Sequence, residues 1–262
     1  MKTEGRLAGQ AALVTGASRG IGFGIAREFA KQGADLLLVA TNEEKLSAAR
    51  QQLLSWGGRV EMLVADLSER THAQRAVAAA IESFGQLHIL VNGAAVYKAA
   101  PFLAYSPQDF THILDVNLHG PIYTMRTALP HMVEKGYGRI INVASTAGKW
   151  ASKNQSAYNI SKHAVVGLTR CTAMEFAPHG VTVNALCPGM VQTDLADQLV
   201  HEHATINNVS AQAIHAGLMR RIPQGRFLDV AECGHLAVYL ASRESQGMTG
   251  QSILLDGGML YV

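Results

Sequence analysis

Short apolar runs alternate with amphipathic stretches along most of the chain. The runs are AALVTGA (11–17), ADLLLVA (34–40), VEMLVAD (60–66), LHILVNGA (87–94), RIINVAS (139–145), VTVNALCP (181–188) and SILLDGG (252–258). They have strand length and are largely apolar throughout rather than at every second position, as in strands covered on both faces. The segments between them, such as IGFGIAREFAKQG and AQRAVAAAIESFG, repeat their apolar positions with the period of a helix. Helices between consecutive strands predict an α/β fold. The expected form is a doubly wound Rossmann sheet of seven parallel strands, with helices on both faces. No linker, repeat or low-complexity tract interrupts the pattern, so a single domain over 1–262 is expected.

The alternation breaks between about 194 and 225, where the chain turns polar and rich in His and Asn after a Pro-Gly pair. An insertion there would overhang the C-terminal edge of the sheet, where open α/β folds bind ligands. It reads as a substrate lid. The alternative is a peripheral or oligomer-contacting insertion.

Composition removes several classes of function. A net charge of +2 spread over 262 residues gives no electrostatic footprint for nucleic acid or an anionic membrane. No apolar run reaches membrane-spanning length, and the first ten residues carry no apolar signal-type run, so a cytoplasmic protein is expected. Cys171, Cys187 and Cys233 are odd in number and lack CxxC spacing, as reduced thiols would be. Among eleven histidines only His201 and His203 form a close pair, with no acid or cysteine cluster at ligand spacing. No metal is expected, and the pair reads as a solvated helix face.

The first strand runs into TGASRGIG (15–22), and a helix follows at once. Gly16, Gly20 and Gly22 permit a tight turn, close backbone approach to a diphosphate and a helix dipole facing negative charge. The second strand ends VATNEE, so Ala40 and Thr41 stand where a ribose-binding acid would repel a 2'-phosphate. Arg19 can offer that phosphate a charged fork and Thr41 a hydroxyl, which favours NADP(H) and leaves NAD(H) possible. Asp66 is placed to meet the adenine amino group or, as the alternative, to cap a helix with Ser68 nearby. Within SAYNISKHAV, Tyr158 and Lys162 lie four residues apart and so on one helix face.

TGASRGIG, VADL (64–67), LVNGAA (90–95), VNLHG (116–120), INVAS (141–145), YNISK (158–162) and CPGMVQT (187–193) occur in one order and spacing. That set resembles the short-chain dehydrogenase/reductase family, over nearly the whole chain. Within it the sequence looks similar to bacterial ketoreductases of the aromatic-polyketide and 3-oxoacyl-carrier-protein kinds. The resemblance implies a catalytic quartet of Asn117, Ser145, Tyr158 and Lys162. It also implies cofactor contacts at Ser18, Ile21, Leu67, Asn92, Pro188, Gly189, Val191 and Thr193, besides those already named.

In that reading Tyr158 is the general acid of ketone reduction and the base of alcohol oxidation. A phenol titrates near 10, so efficient exchange near neutrality asks for a fall of about two to three units, about 3–4 kcal/mol. An ammonium about 4 Å away at an effective dielectric near 20 supplies about 4 kcal/mol. Lys162 is expected to provide it and to hold the nicotinamide ribose. Ser145 would donate to the substrate oxygen. Asn117 would bind water at a helix kink and relay protons to Lys162. Val191 would bond the carboxamide and Thr193 would clamp the nicotinamide or diphosphate.

One departure stands out: the family usually has Asn-Asn-Ala-Gly where this chain has Asn92-Gly93-Ala94-Ala95. The loss of an amide at Gly93 and of a glycine at Ala95 puts local rigidity and cofactor affinity in question. Tyr97, Trp150 and residues beyond Thr193 are expected to shape the pocket. Arg220, Arg221 and Arg226 form either a basic patch for a carrier protein or a solvated face.

The expected activity is NADP(H)-dependent reduction of a small-molecule ketone to a secondary alcohol, by a homo-oligomer such as the family's common tetramer. The alternative is NAD-dependent oxidation of a secondary alcohol, hydroxy acid or sugar. A dinucleotide sensor without turnover would be expected to have lost Tyr158, Lys162 or Ser145.

Overall fold

All seven expected strands form, and they lie side by side in one parallel sheet. A computed structural model describes residues 5–56 and 58–262. The strands are β1 (Ala11–Thr15), β2 (Asp35–Ala40), β3 (Val60–Val64), β4 (Ile89–Asn92), β5 (Gly138–Val143), β6 (Val181–Pro188) and β7 (Ser252–Leu255). Their order is β3-β2-β1-β4-β5-β6-β7, every pairing parallel. Several of the quoted runs overshoot at their ends, because residues such as Gly16, Ala65 and Ser145 already belong to the loops that carry the chemistry.

Alternate side chains of each strand supply two separate cores, the consequence of a two-residue period in a sheet covered on both sides. Ala12, Val14, Leu36, Leu38, Ile89 and Val91 enter one core, with Phe29 of α1 (Gly20–Lys31), Leu46 of α2 (Glu43–Leu53) and Leu240 from near the chain's end. Leu13, Leu37, Val39 and Leu90 enter the other. There they meet Val77 of α3 (Arg70–Phe84) and Met125 of the helix Gly120–Glu134. Burial of a large aliphatic side chain is worth about 1.5–3 kcal/mol, so each strand contributes to both layers at once.

The remaining helices are α4 (Pro107–Leu114), α5 (Gly120–Glu134), α6 (Ser156–Phe176), α7 (Asp194–Asn207), α8 (Ala211–Met219) and α9 (Val230–Ala241). Helices α7 and α8 occupy the irregular stretch noted in the sequence. Between α4 and α5, Asp115–His119 make a π-helical turn. The order of strands reverses between β1 and β4, since β1 leads on to β2 on one side and β4 leads on to β5 on the other. At such a switch point the loops diverge and leave a crevice beyond the strand ends. Among the described residues no helix is long and apolar enough to cross a membrane.

Candidate active site

The loops leaving β1, β2, β3, β4, β5 and β6 converge on one cleft of about 620 Å³. It draws Gly16, Ser18, Arg19, Gly20, Ile21 and Gly22 from the first loop, Thr41 from the second, and Asp66 and Leu67 from the third. Ser145, Tyr158 and Lys162 line it, and so do Pro188, Gly189, Val191 and Thr193. Tyr97, expected to shape the pocket, does not line it, and neither do two of the expected catalytic and cofactor residues. Asn92 and Asn117 stand behind the wall, and their amides serve the scaffold.

The glycine loop has the form an anion needs. Gly16 and Gly20 take positive φ (66° and 59°), a conformation most side chains resist. A Cβ on Gly16 would come 2.8 Å from the Ala94 backbone, and one on Gly22 would lie 2.3 Å from the Gly16 carbonyl oxygen. Helix α1 starts without a side-chain cap and without an acid in its first turn. Its leading N–H groups and positive dipole end therefore face the cleft uncompensated. These features fit the diphosphate of a dinucleotide. Arg19, the residue before the helix, pairs with Asp194 at the start of α7, both largely exposed. Asp66 accepts from the Ser68 N–H (3.0 Å) and hydroxyl (2.8 Å), which fixes the turn after β3; Glu69, not Asp66, precedes α3.

The loop after β4 answers the question its sequence raised. A Cβ at Gly93 would lie 2.7 Å from the Thr15 carbonyl oxygen, so a side chain does not fit there. In exchange, the Thr15 hydroxyl accepts from the N–H groups of Gly93 (2.9 Å) and Ala94 (3.2 Å). The sheet is braced instead by Thr124, Asn92, Asn142 and Thr169, a buried chain of hydrogen bonds at 2.7–2.9 Å. The rigidity in question at Gly93 is supplied in part by Thr15, which pins the loop. The Asn92 side chain belongs to this brace and does not line the cleft.

Asn117 lies in the π turn, 1% exposed. Its Oδ1 accepts from the Val96 N–H (2.8 Å), and its Nδ2 donates to the Val96 carbonyl (3.0 Å) and the Ser161 hydroxyl (3.1 Å). The amide thus ties the loop after β4 to α6. The wide turn around it is the kink expected there; the side chain itself is fully engaged.

Tyr158 and Lys162 share a face of α6, both buried, with the ammonium 5.6 Å from the phenol ring centroid. Lys162 Nζ donates to the Val143 carbonyl (2.8 Å) at the end of β5. Burial pushes the Tyr158 phenol up to about 12, with the Ser145 hydroxyl pulling the other way. Burial also lowers Lys162 to about 8. The expected downward shift of Tyr158 is therefore reversed. Desolvation of the buried phenol is the larger cause and outweighs the Ser145 hydrogen bond. The phenol is held protonated across the neutral range, the form a general acid requires. Ser145 stands in extended backbone just past β5, and its Oγ accepts from the Ala147 N–H (3.0 Å). Thr193 caps α7 through the Ala196 N–H (3.3 Å).

The far end of the cleft is apolar, with Leu195, Leu199 and Leu218 from α7 and α8, Met190, Met259 and the Trp150 ring. Helix α7 docks on the loop after β4 through polar contacts that the sequence did not announce. Gln198 donates to the Tyr97 carbonyl (3.0 Å), and Glu202 accepts from the Ala99 N–H (2.6 Å). His203 sits 3.1 Å from both the Tyr97 hydroxyl and the Gln155 amide. Burial lowers its pKa, so His203 is no solvated face residue. Tyr97 in turn packs edge-on against Tyr158, ring centroids 5.2 Å apart. Among the described residues no three His, Cys, Asp or Glu side chains converge as metal ligands would.

A family model described as enoyl-(acyl carrier protein) reductase matches residues 16–260. D-beta-hydroxybutyrate dehydrogenase of Cupriavidus necator is 38% identical, over 96% of this chain and 98% of that protein. An actinorhodin polyketide ketoreductase structure with NADPH superimposes with a TM-score of 0.92 at 32% identity, covering 95% of this chain and 97% of the other. An NAD+-bound xylitol dehydrogenase gives a TM-score of 0.93 at 28% identity, covering 96% and 99%.

Proposed function

Because the chain belongs to the short-chain dehydrogenase/reductase family, oxidoreductases that act on CH–OH groups with NAD(P), we propose that it reduces a ketone to a secondary alcohol with NADPH. The observation that supports this reading is the convergence of Ser145, Tyr158 and Lys162 on the cleft that the glycine loop opens, with burial keeping the phenol in its protonated form. When bound, the dinucleotide supplies the hydride that goes to the carbonyl carbon. As the C=O π bond breaks, Tyr158 gives its proton to the oxygen, and the Ser145 hydroxyl donates to the same atom while charge develops on it. Lys162 keeps a positive charge beside the phenol and meets the ribose. The uncapped start of α1 receives the diphosphate, with Pro188, Gly189, Val191 and Thr193 flanking the nicotinamide. Asn117 supports proton supply to Lys162 by shaping the π turn. Helices α7 and α8 form a lid over the substrate end, a role supported by the apolar face they turn to the cleft.

The preference for NADPH rests on Thr41 in place of an acid after β2 and on Arg19 at the lip, with Lys45 near enough to bear on Asp194. One observation favours a second reading. The Arg19 guanidinium is already matched by Asp194, which would weaken its hold on a 2'-phosphate and suit an NAD-dependent alcohol dehydrogenase. The exposed Tyr261 and Val262 suit a homo-oligomeric, tetrameric assembly, and three free cysteines suit the cytoplasm.

The test is Tyr158→Phe. It should cut ketone reduction by about 10²–10⁴-fold while dinucleotide binding, followed by fluorescence, persists. Undiminished turnover would remove Tyr158 as the proton donor.

A further inference from the structure

Of the three arginines that the sequence leaves as either a basic patch or a solvated face, the structure separates two by their surroundings. Arg226 is neutralised by both carboxylate oxygens of Glu232 (2.7 and 2.8 Å). Arg221 leaves the end of α8 and lines the substrate end of the cleft, its guanidinium carbon 4.2 Å from the centroid of the Trp150 ring. Arg221 is exposed, and among the described residues its guanidinium has no carboxylate partner or other protein acceptor, its contact being the Trp150 ring. The cleft's own acids are committed elsewhere, Asp194 to Arg19 and Asp66 to Ser68.

We infer that Arg221 is an anion receptor for the substrate, and that the natural ketone carries a carboxylate separated from its carbonyl by an apolar segment. This rests on the carbonyl-reductase reading above. Contact with the Trp150 ring holds the guanidinium at the cleft without using its N–H donors, and two parallel N–H groups on one edge of a guanidinium match the two oxygens of a carboxylate. The cleft that Arg221 shares with Ser145 and Tyr158, its acids already engaged, is also lined by Leu195, Leu199 and Leu218. They give an uncharged chain a place to lie and leave a second charge without a partner. A neutral ketone would bury the same apolar surface and gain nothing from Arg221.

The experiment compares straight-chain keto acids of graded length with their own methyl esters as substrates for NADPH consumption by the holoenzyme. The acid of best length should exceed its ester in kcat/KM by about 10- to 100-fold. Arg221→Gln should collapse that ratio towards one, and Arg221→Lys should restore part of it. A second readout needs no turnover. In a Trp56→Phe background, Trp150 fluorescence should change saturably with the acid, and Arg221→Gln should abolish the change. Ester and acid turned over alike, with no fluorescence response to the acid, would overturn the anion site and leave the reductase standing. Saturable binding of the acid with no turnover of either compound would do the reverse.

Discussion

The two ends of the cleft are built on different principles. At the dinucleotide end the fit is made by backbone: Gly16, Gly22 and Gly93 sit where an added Cβ would meet main-chain atoms at 2.3–2.8 Å. At the substrate end it is made by side chains, through Leu195, Leu199, Trp150 and Arg221, and by the polar docking of Gln198, Glu202 and His203. A backbone-defined site tolerates almost no substitution. A side-chain-defined one can be re-aimed residue by residue, so one fold can keep its cofactor chemistry while its substrate changes.

That contrast can be broken by exchanging glycines. Gly22→Ala forces its new methyl against the Gly16 carbonyl, a clash with main chain that no rotamer relieves. Overpacking of this kind costs about 1–3 kcal/mol, so dinucleotide affinity should fall by about tenfold or more and Tm by several degrees. Gly167→Ala, in the exposed middle of α6 with open space around it, is the control. It should raise stability by up to about 1 kcal/mol. Equal effects at the two positions, read by calorimetry and dinucleotide titration, would mean that the loop has slack and the backbone argument is wrong.

A smaller effect separates Tyr158 from Lys162. The phenol titrates near 12, beyond the usable range, whereas Lys162 loses its proton near 8. If reduction needs the ammonium, kcat/KM for the dinucleotide should fall about tenfold per pH unit above that value, and be flat below it down to neutrality. A rate constant level from pH 7 to 10 would show that no proton the reaction needs is lost from Lys162 in that range.

The strands and the cofactor loop were legible in the sequence because their causes are local. Two-sided burial makes a strand apolar throughout, and a tight turn against a helix start calls for glycines at fixed positions. Ser145, Tyr158 and Lys162 come together in the cleft because β5 ends beside α6. What stayed hidden depends on partners far along the chain. Arg19 meets Asp194 across 175 positions and Tyr97 meets His203 across 106, and no spacing rule reaches that far. His203 was therefore read as solvated, and Arg221 could not be separated from Arg226. The direction of the Tyr158 shift was missed for a related reason. Helix spacing puts Lys162 one turn away but does not reveal that its ammonium bonds the Val143 carbonyl or how fully the phenol is buried. The consequence of Gly93 is not legible in the sequence, because the nearness of Thr15 that pins the loop comes from another strand.

The most direct test of the account is parallel consumption of NADPH and NADH by the purified protein, wild type and Arg19→Ala, across a panel of ketones and keto acids. The account predicts turnover with a ketone, a wild-type preference for NADPH, and a loss in Arg19→Ala that falls on NADPH about tenfold more heavily than on NADH. Turnover with NADH alone, or only oxidation of alcohols by NAD, would contradict it and leave Arg19 as the structural partner of Asp194.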